Sequence, residues 1–209
     1  MRKATAGGWQ RLNAAQRSYI PDMLNWIIEA GNPYFDWLFG DAARTRTVLQ
    51  ARMQSPASEL SIGLVTALID ADGDMLGGFI GIEGADLKRR RREDSMAFLQ
   101  AASREQRPSL ARRMRTSREL FPPVEPDEFY LSKMGVRYDA RGNGLGRRLV
   151  QHFLAEGMAS EPRRFRLDVH AENRRAIRLY ESVGFELTQE SHSRETGMTY
   201  LAMHRAARA

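Results

Sequence analysis

The feature that most constrains this chain is the run Val136-Arg-Tyr-Asp-Ala-Arg-Gly-Asn-Gly-Leu-Gly146, set between a strand pattern and an amphipathic helix pattern. Glycines at 142, 144 and 146 let the backbone take positive φ and come close to a ligand. Their N–H groups, added to the free N–H groups and dipole of the following helix, form a nest for an anion. Arg141 and Arg147 flank the run with fixed positive charge, so the implied ligand is a phosphate or pyrophosphate. A nucleotide P-loop would need Gly-Lys-Ser/Thr, and here Gly146 is followed by Arg147 and Arg148. The dinucleotide fingerprint G-x-G-x-x-G fails as well, because the glycines alternate and no acid lies near position 164 to hold a ribose. A glycine-rich helix entry without a ligand is the plain alternative for these residues taken alone.

The surrounding pattern predicts an α/β domain. A short strand is expected near Trp9 to Asn13, then a helix carrying Ile20, Leu24, Ile27 and Ile28, ended by Gly31-Asn32-Pro33. A second helix follows from Asp41 as N-cap. Leu60 to Asp70 and Met75 to Ile82 read as a strand pair around an Asp72-Gly73 turn. From Asp86 to Leu120 the chain becomes polar and Arg-rich, with Met96, Leu99, Leu110, Met114 and Leu120 at helical intervals, which predicts two helices broken near Pro108. Phe121 to Pro126 forms a stiff loop. The second half runs strand (128–136), glycine turn, helix (145–158), strand (165–170), helix (174–182) and two short strands ending near His204.

What the glycine run does match is Arg141-x-x-Gly144-x-Gly146, and a second block adds to it. Leu167 to Phe185 fills the pattern Asn-x-x-Ala-x-x-Leu-Tyr-x-x-x-Gly-Phe with Asn173, Ala176, Leu179, Tyr180, Gly184 and Phe185. Asn173 is a good N-cap, Asn173, Ala176 and Tyr180 share a helical face, and Gly184 suits a left-handed cap. Taken singly, Tyr180 reads as a core tyrosine and Asn173 as a cap. Together the two blocks resemble the GNAT N-acetyltransferase superfamily. The resemblance is specific over Glu128 to Phe185 and topological over 1–85 and 186–209. It says nothing of the helical insertion at about 86–126, which is longer than the superfamily usually carries.

The resemblance implies a mixed, mostly antiparallel sheet with one parallel strand pair and helices on both faces, in a single domain over 1–209. It implies acetyl-CoA as cosubstrate, held at the pyrophosphate by Arg141, Gly142, Asn143, Gly144, Leu145, Gly146 and Arg147. The pantetheine arm would lie along Met134, Gly135 and Val136, with Asn173 and Tyr180 completing the cofactor side. Acetyl transfer to an amine would be direct, within a ternary complex, with a backbone N–H near Val136 polarising the thioester carbonyl. Tyr180 would serve the departing thiolate, since a tyrosine with pKa about 10 is protonated at neutral pH. Glu128, thirteen residues before Arg141, resembles the catalytic glutamate of the histone-acetylating branch and is the candidate base, with a solvated strand-start residue as the other reading. Glu83 is a weaker candidate.

Composition narrows the partners. The chain lacks cysteine, which excludes disulfides and thiolate chemistry, and His152, His170, His192 and His204 show no ligand spacing, so no metal is expected. The apolar stretches are too short for a membrane span and Met1 to Gly8 has no apolar core behind its basic residues, so a cytoplasmic protein is expected. Between Asp86 and Glu119 stand eleven basic and five acidic residues, so this stretch alone accounts for the net charge of +6. Base-stacking aromatics are nearly absent there (Phe98 and Phe121), so nucleic acid is not the expected partner and a solvated helix face is. The expected acceptor is a small-molecule or peptide amine. An acetyl-CoA-sensing module without turnover and a ribosome- or nucleic-acid-associated acetyltransferase stay open as alternatives. A homodimer is compatible with the sequence and required by nothing in it.

Overall fold

A computed structural model of the chain describes residues 8–207. The reading of the first residues, Met1–Gly7, falls outside them.

The core is a seven-stranded sheet in the order β1-β2-β3-β4-β5-β7-β6. Its strands are β1 (Gly8–Arg11), β2 (Val65–Ile69), β3 (Met75–Glu83), β4 (Glu128–Val136), β5 (Arg164–His170), β6 (Glu186–His192) and β7 (Thr199–Ala206). The β4–β5 pair is parallel and every other pair antiparallel. The mixed sheet with one parallel pair is the fold class expected from the sequence. The parallel pair requires a crossover, and helix α6 (Leu145–Gly157) supplies it. Leu145, Leu149, Val150, Phe153 and Leu154 lie on one face of α6 and are buried. With α7 (Arg174–Glu181) this helix covers a cluster that includes Phe129, Leu131, Phe165, Leu167, Val169, Ile177 and Tyr180.

The opposite face carries the larger core, in which α1 (Ile20–Gly31), α2 (Tyr34–Phe39) and α3 (Ala42–Met53) pack Met23, Trp26, Ile27, Phe35 and Leu49 near Ile80, Ile82 and Tyr130. The Asp41 carboxylate caps α3, accepting from the Arg44 amide at 2.7 Å. Two boundaries differ from the sequence reading. β2 begins only at Val65, because Ile62–Leu64 coils into a 3-10 turn. α2 is an additional element, and its six residues directly follow Pro33, which the sequence presents as a helix stop.

Helices α4 (Gly84–Ala101) and α5 (Gln106–Leu120) form the Arg-rich segment between β3 and β4. The break between them lies at 102–105. Pro108 stands in the first turn of α5, where a missing N–H costs nothing, and so belongs to the helix start. Several of the arginines hold the segment down. Arg90 binds Asp86 and the carbonyls of Pro56 (2.7 Å) and Ser58 (3.0 Å). Arg107 donates to the carbonyls of Leu99 and Ala102, each at 3.1 Å, closing the end of α4. Arg113 reaches the Leu38 carbonyl at 3.3 Å, and Glu195 takes Arg112 at 3.2 Å and Thr116 at 2.9 Å.

Candidate active site

β4 and β5 pair only from Glu128–Arg164 to Leu131–Leu167. Beyond that point β4 continues to Val136 and β5 to His170 without pairing, so the two strands part and open a cleft through the sheet. On its other edge β4 stays paired with β3 through Val136, across an irregularity at Ile80/Gly81. The Arg137 N–H binds the Leu76 carbonyl at 2.9 Å. By strand alternation, Met134 and Val136 therefore turn their N–H and C=O groups into the cleft. The Val136 carbonyl already accepts from Arg141 Nε at 3.0 Å. Gly135 is held by α1: a Cβ there would lie 2.4 Å from Trp26 Cβ, so only glycine lets the helix back this part of β4.

The mouth of the cleft is the glycine turn. Gly142 (φ 84°) and Gly144 (φ 73°) are left-handed, and a Cβ on either would meet nothing within 4 Å. Among the described residues, no backbone N–H from Gly142 to Arg147 finds a protein acceptor, and α6 has no side-chain cap. Such a row of free donors at a helix start is an anion site. Arg141 is anchored to Glu29 at 2.5 Å, Arg147 to the Ser182 carbonyl (3.3 Å) and hydroxyl (2.9 Å), and the Asn143 amide to the Ala140 carbonyl (3.2 Å). Leu145 is buried as the first core residue of α6.

On the α6–α7 side of the cleft, Met134, Val136, Ala176 and Leu179 pack against the cluster that includes Tyr180. Asn173 caps α7, accepting from the Ala176 amide at 3.1 Å. Tyr180 is buried, and its hydroxyl has no hydrogen-bond partner among the described residues. Burial pushes its pKa up to about 12, because the phenolate would lose its solvation.

Glu128 lies at the closed end of the β4–β5 pair and is 1% exposed. Its carboxylate accepts from Arg164 and from the Glu125 amide (2.9 Å), with His204 Nε2 at 3.1 Å and Arg166 at 3.6 Å. Burial alone would raise its pKa. The His204, Glu125 and Arg164 hydrogen bonds and the Arg164 charge outweigh that and hold it at about 2. Glu83 accepts from Ser160 at 2.7 Å, next to the C-terminus of α6. Neither carboxylate is brought to the point where the strands part.

That point is occupied by residues the motifs do not include. The Tyr130 hydroxyl bridges the opening and donates to Asp168 at 2.9 Å, while Arg166 holds the other Asp168 oxygen at 3.3 Å. Ser132, the first β4 residue beyond the pairing, has a buried hydroxyl without a partner. Lys133 and Arg91 lie beside them. Only one signal could have pointed here, the polar alternation Arg164, Arg166, Asp168, His170 on an otherwise apolar strand.

The profile of the GNAT acetyltransferase family matches residues 83–185. N-alpha-acetyltransferase 40 of Saccharomyces cerevisiae (strain ATCC 204508 / S288c) is 43% identical over 63 residues, which cover 27% of this chain and 22% of the yeast protein. The 5-NmdU N-acetyltransferase of Pseudomonas phage PaMx11 is 35% identical over 68 residues, covering 32% of this chain and 46% of the phage protein. The chain thus aligns with less than half the length of either relative. The solved structure of an N-acetyltransferase from Staphylococcus aureus Mu50 superposes with a TM-score of 0.67 at 14% identity, covering 94% of this chain and 99% of the other, which is a likeness of fold.

Proposed function

The chain belongs to the GNAT acetyltransferase family, and from that premise we propose that it is an enzyme transferring the acetyl group of acetyl-CoA to a primary amine by direct attack in a ternary complex. The observation that carries this reading is the opening between β4 and β5, with the free N–H groups of 142–147 at its mouth. A diphosphate fits those donors, and an extended amide-bearing arm fits the unpaired edge of β4.

The cosubstrate supplies an activated acyl carbon and a thiolate leaving group. Gly142 to Arg147 bind its diphosphate, with Arg141 and Arg147 adding charge at the rim. Met134 and Val136 pair with the arm, and the Met134 N–H is the donor assigned to the thioester carbonyl. Tyr180, kept protonated by its burial, gives a proton to the departing thiolate. Asn173 sets the start of α7 and thereby the position of Tyr180.

The amine arrives from the α1–α4 side, past Tyr130, and must lose a proton before it attacks. We assign that proton to Asp168, oriented by Tyr130 and reached directly or through one water. Glu128 is assigned a structural part in place of the base role its spacing suggested, because its donors hold it at the closed end of the pair. The acceptor class is an amine of a small molecule or a peptide, and the reaction is placed in the cytoplasm.

The test is acetyl-CoA binding by calorimetry, followed by CoA thiol release with a panel of amines, amino acids, aminoglycosides and peptides. A micromolar dissociation constant and amine-dependent thiol release are expected. Binding of NAD or ATP with none of acetyl-CoA would overturn the reading.

A further inference from the structure

Arg91 and Lys133 are cations that the reaction above does not use. Arg91 comes from α4 and lies with its guanidinium carbon 5.0 Å from the centre of the Tyr130 ring. Its Nε donates to Glu59 at 3.0 Å, and its terminal nitrogens have no protein partner among the described residues. The side chain stays 32% exposed. Glu59 is in turn fixed by Asp94, which accepts from the Glu59 amide at 2.9 Å and from Arg52 at 2.6 Å. The guanidinium is therefore stacked on one face and clamped at Nε, with its forked end open.

Lys133 stands on the same face of β4, at the irregularity that follows Ser132. Its ammonium donates to the Ser132 carbonyl at 2.9 Å and lies 5.5 Å from the centre of the Phe35 ring. Among the described residues it has no carboxylate within ion-pair distance. Burial lowers the Lys133 pKa, the Glu59 charge works against that, and the Arg91 charge adds to the lowering, so the two cations lie close enough to repel one another. Of the carboxylates nearby, Glu59 accepts from Arg91 Nε, and neither Glu59 nor Asp168 lies within ion-pair distance of the Lys133 ammonium.

We infer that Arg91 and Lys133 bind a carboxylate of the acceptor, so that the amine is acetylated as part of a small amino acid. The inference rests on the acetyltransferase reading and names the acceptor for that same cleft. Three features support it. Arginine's planar fork matches a carboxylate bidentately, and here it is preorganised by the Tyr130 stack and the Glu59 clamp. Two neighbouring cations share the one Glu59 carboxylate and keep unused donors, an arrangement that an added anion in a half-buried cleft would complete. Little more than the Tyr130 ring separates the guanidinium from Asp168, a gap one small molecule spans with its carboxylate at Arg91 and its amine at Asp168. Arg91 lies on the inserted α4, so the insertion would form the acceptor-reading wall of the site.

The test uses the full chain with acetyl-CoA and matched acceptors: free amino acids, their α-carboxamides and the amines lacking the carboxylate. A site built to pair a charged group rejects analogues without it, so kcat/KM for the best amino acid should exceed that of its amide by about 100-fold or more. Arg91→Met and Lys133→Met should each shrink that ratio at least about tenfold, through KM for the amino acid, with acetyl-CoA affinity unchanged. Arg91→Lys should lie between, keeping the charge and losing the fork. Lys133→Met removes one hydrogen bond to a backbone carbonyl and the charge over Phe35 and breaks no ion pair, so it remains informative if Arg91→Met unfolds. Equal kcat/KM for acids and amides, an unaltered ratio in Lys133→Met, or turnover of no carboxylate by protein that binds acetyl-CoA would each overturn the inference. Failure to bind acetyl-CoA would instead sink the acetyltransferase reading.

Discussion

Single atoms decide most of the chemistry proposed for this site. Tyr180 is a buried side chain whose hydroxyl has no partner among the described residues and is held protonated, which suits a donor to a thiolate. Tyr180→Phe keeps the ring against Phe185 and removes only the oxygen. We expect kcat to fall roughly 10- to 1000-fold with acetyl-CoA affinity unchanged, read from steady-state rates beside calorimetry. A rise in KM for acetyl-CoA alone would make the hydroxyl a positioning group. Gly144→Val tests the anion nest. Its φ of 73° strains a β-branched residue, and the side chain would project into space the backbone now leaves open. The expected loss is at least about tenfold in acetyl-CoA affinity, or about 1.4 kcal/mol, with the circular dichroism spectrum retained. At this scale the sequence is uneven. The left-handed turn at Gly142 and Gly144 is legible because a positive φ favours one residue type. The place of Glu128 is not, because counting back from Arg141 reaches the right strand without revealing where that strand leaves its neighbour. Asp168 and Tyr130 meet only through the pairing of β4 with β5.

Among the elements, those with a strong period were readable and those defined by their neighbours were not. β4 and α6 follow their patterns almost to the residue, since alternation and a continuous apolar stripe are properties of the segment itself. α2 is short, follows a proline and exists by packing Phe35, Leu38 and Phe39 into the larger core, which no local pattern announces. The basic insertion has an exposed methionine (Met96) at an expected core position, and several of its arginines bind carbonyls of neighbouring segments where a solvated face was expected. Its attachment at Asp94 can be tested. That carboxylate is 4% exposed and joins Arg52 on α3 to the Glu59 amide. Asp94→Asn leaves Arg52 without its counter-charge and destabilises the fold, by less than a fully compensated buried pair would, because burial and the Glu59 charge already raise the Asp94 pKa. Urea unfolding should register that loss. Because Glu59 would also loosen its hold on Arg91, acceptor KM should rise while acetyl-CoA affinity holds. A variant as stable as the parent would mean that α4 is held by its apolar contacts alone.

For the whole molecule, the sheet has to stay joined at one end of the β4–β5 pair while it parts at the other, and Glu128 is where the closed end is tied. Its carboxylate contacts Arg164 and Arg166 on β5, His204 on β7 and the Glu125 amide of the loop that leads into β4. Arg166 also binds the carbonyls of Pro122 (3.1 Å) and Pro123 (2.6 Å), so the loop closing the helical insertion ends on the same cluster. The consequence is a stability that depends on pH in a fixed direction. The folded-state pKa of about 2 lies below the ordinary value of 4.5, so the unfolded chain binds the proton more readily. The carboxylate's contribution is therefore complete above pH 4.5 and is lost as pH falls from 4.5 towards 2. A depression of that size corresponds to about 3 kcal/mol. Glu128→Gln should remove this contribution at pH 7 and leave two arginines without their counter-charge, lowering the urea midpoint substantially. The gap in unfolding free energy between parent and variant should then shrink by about 2.5 kcal/mol between pH 7 and pH 2.5, because over that range the unfolded parent takes up a proton that the folded carboxylate still refuses. Other carboxylates titrate in the same range, and taking the difference between the two proteins cancels them. A gap that stays constant across that range would mean that Glu128 is not the ionised anchor of the sheet, and would return it to the list of groups free to act as the base.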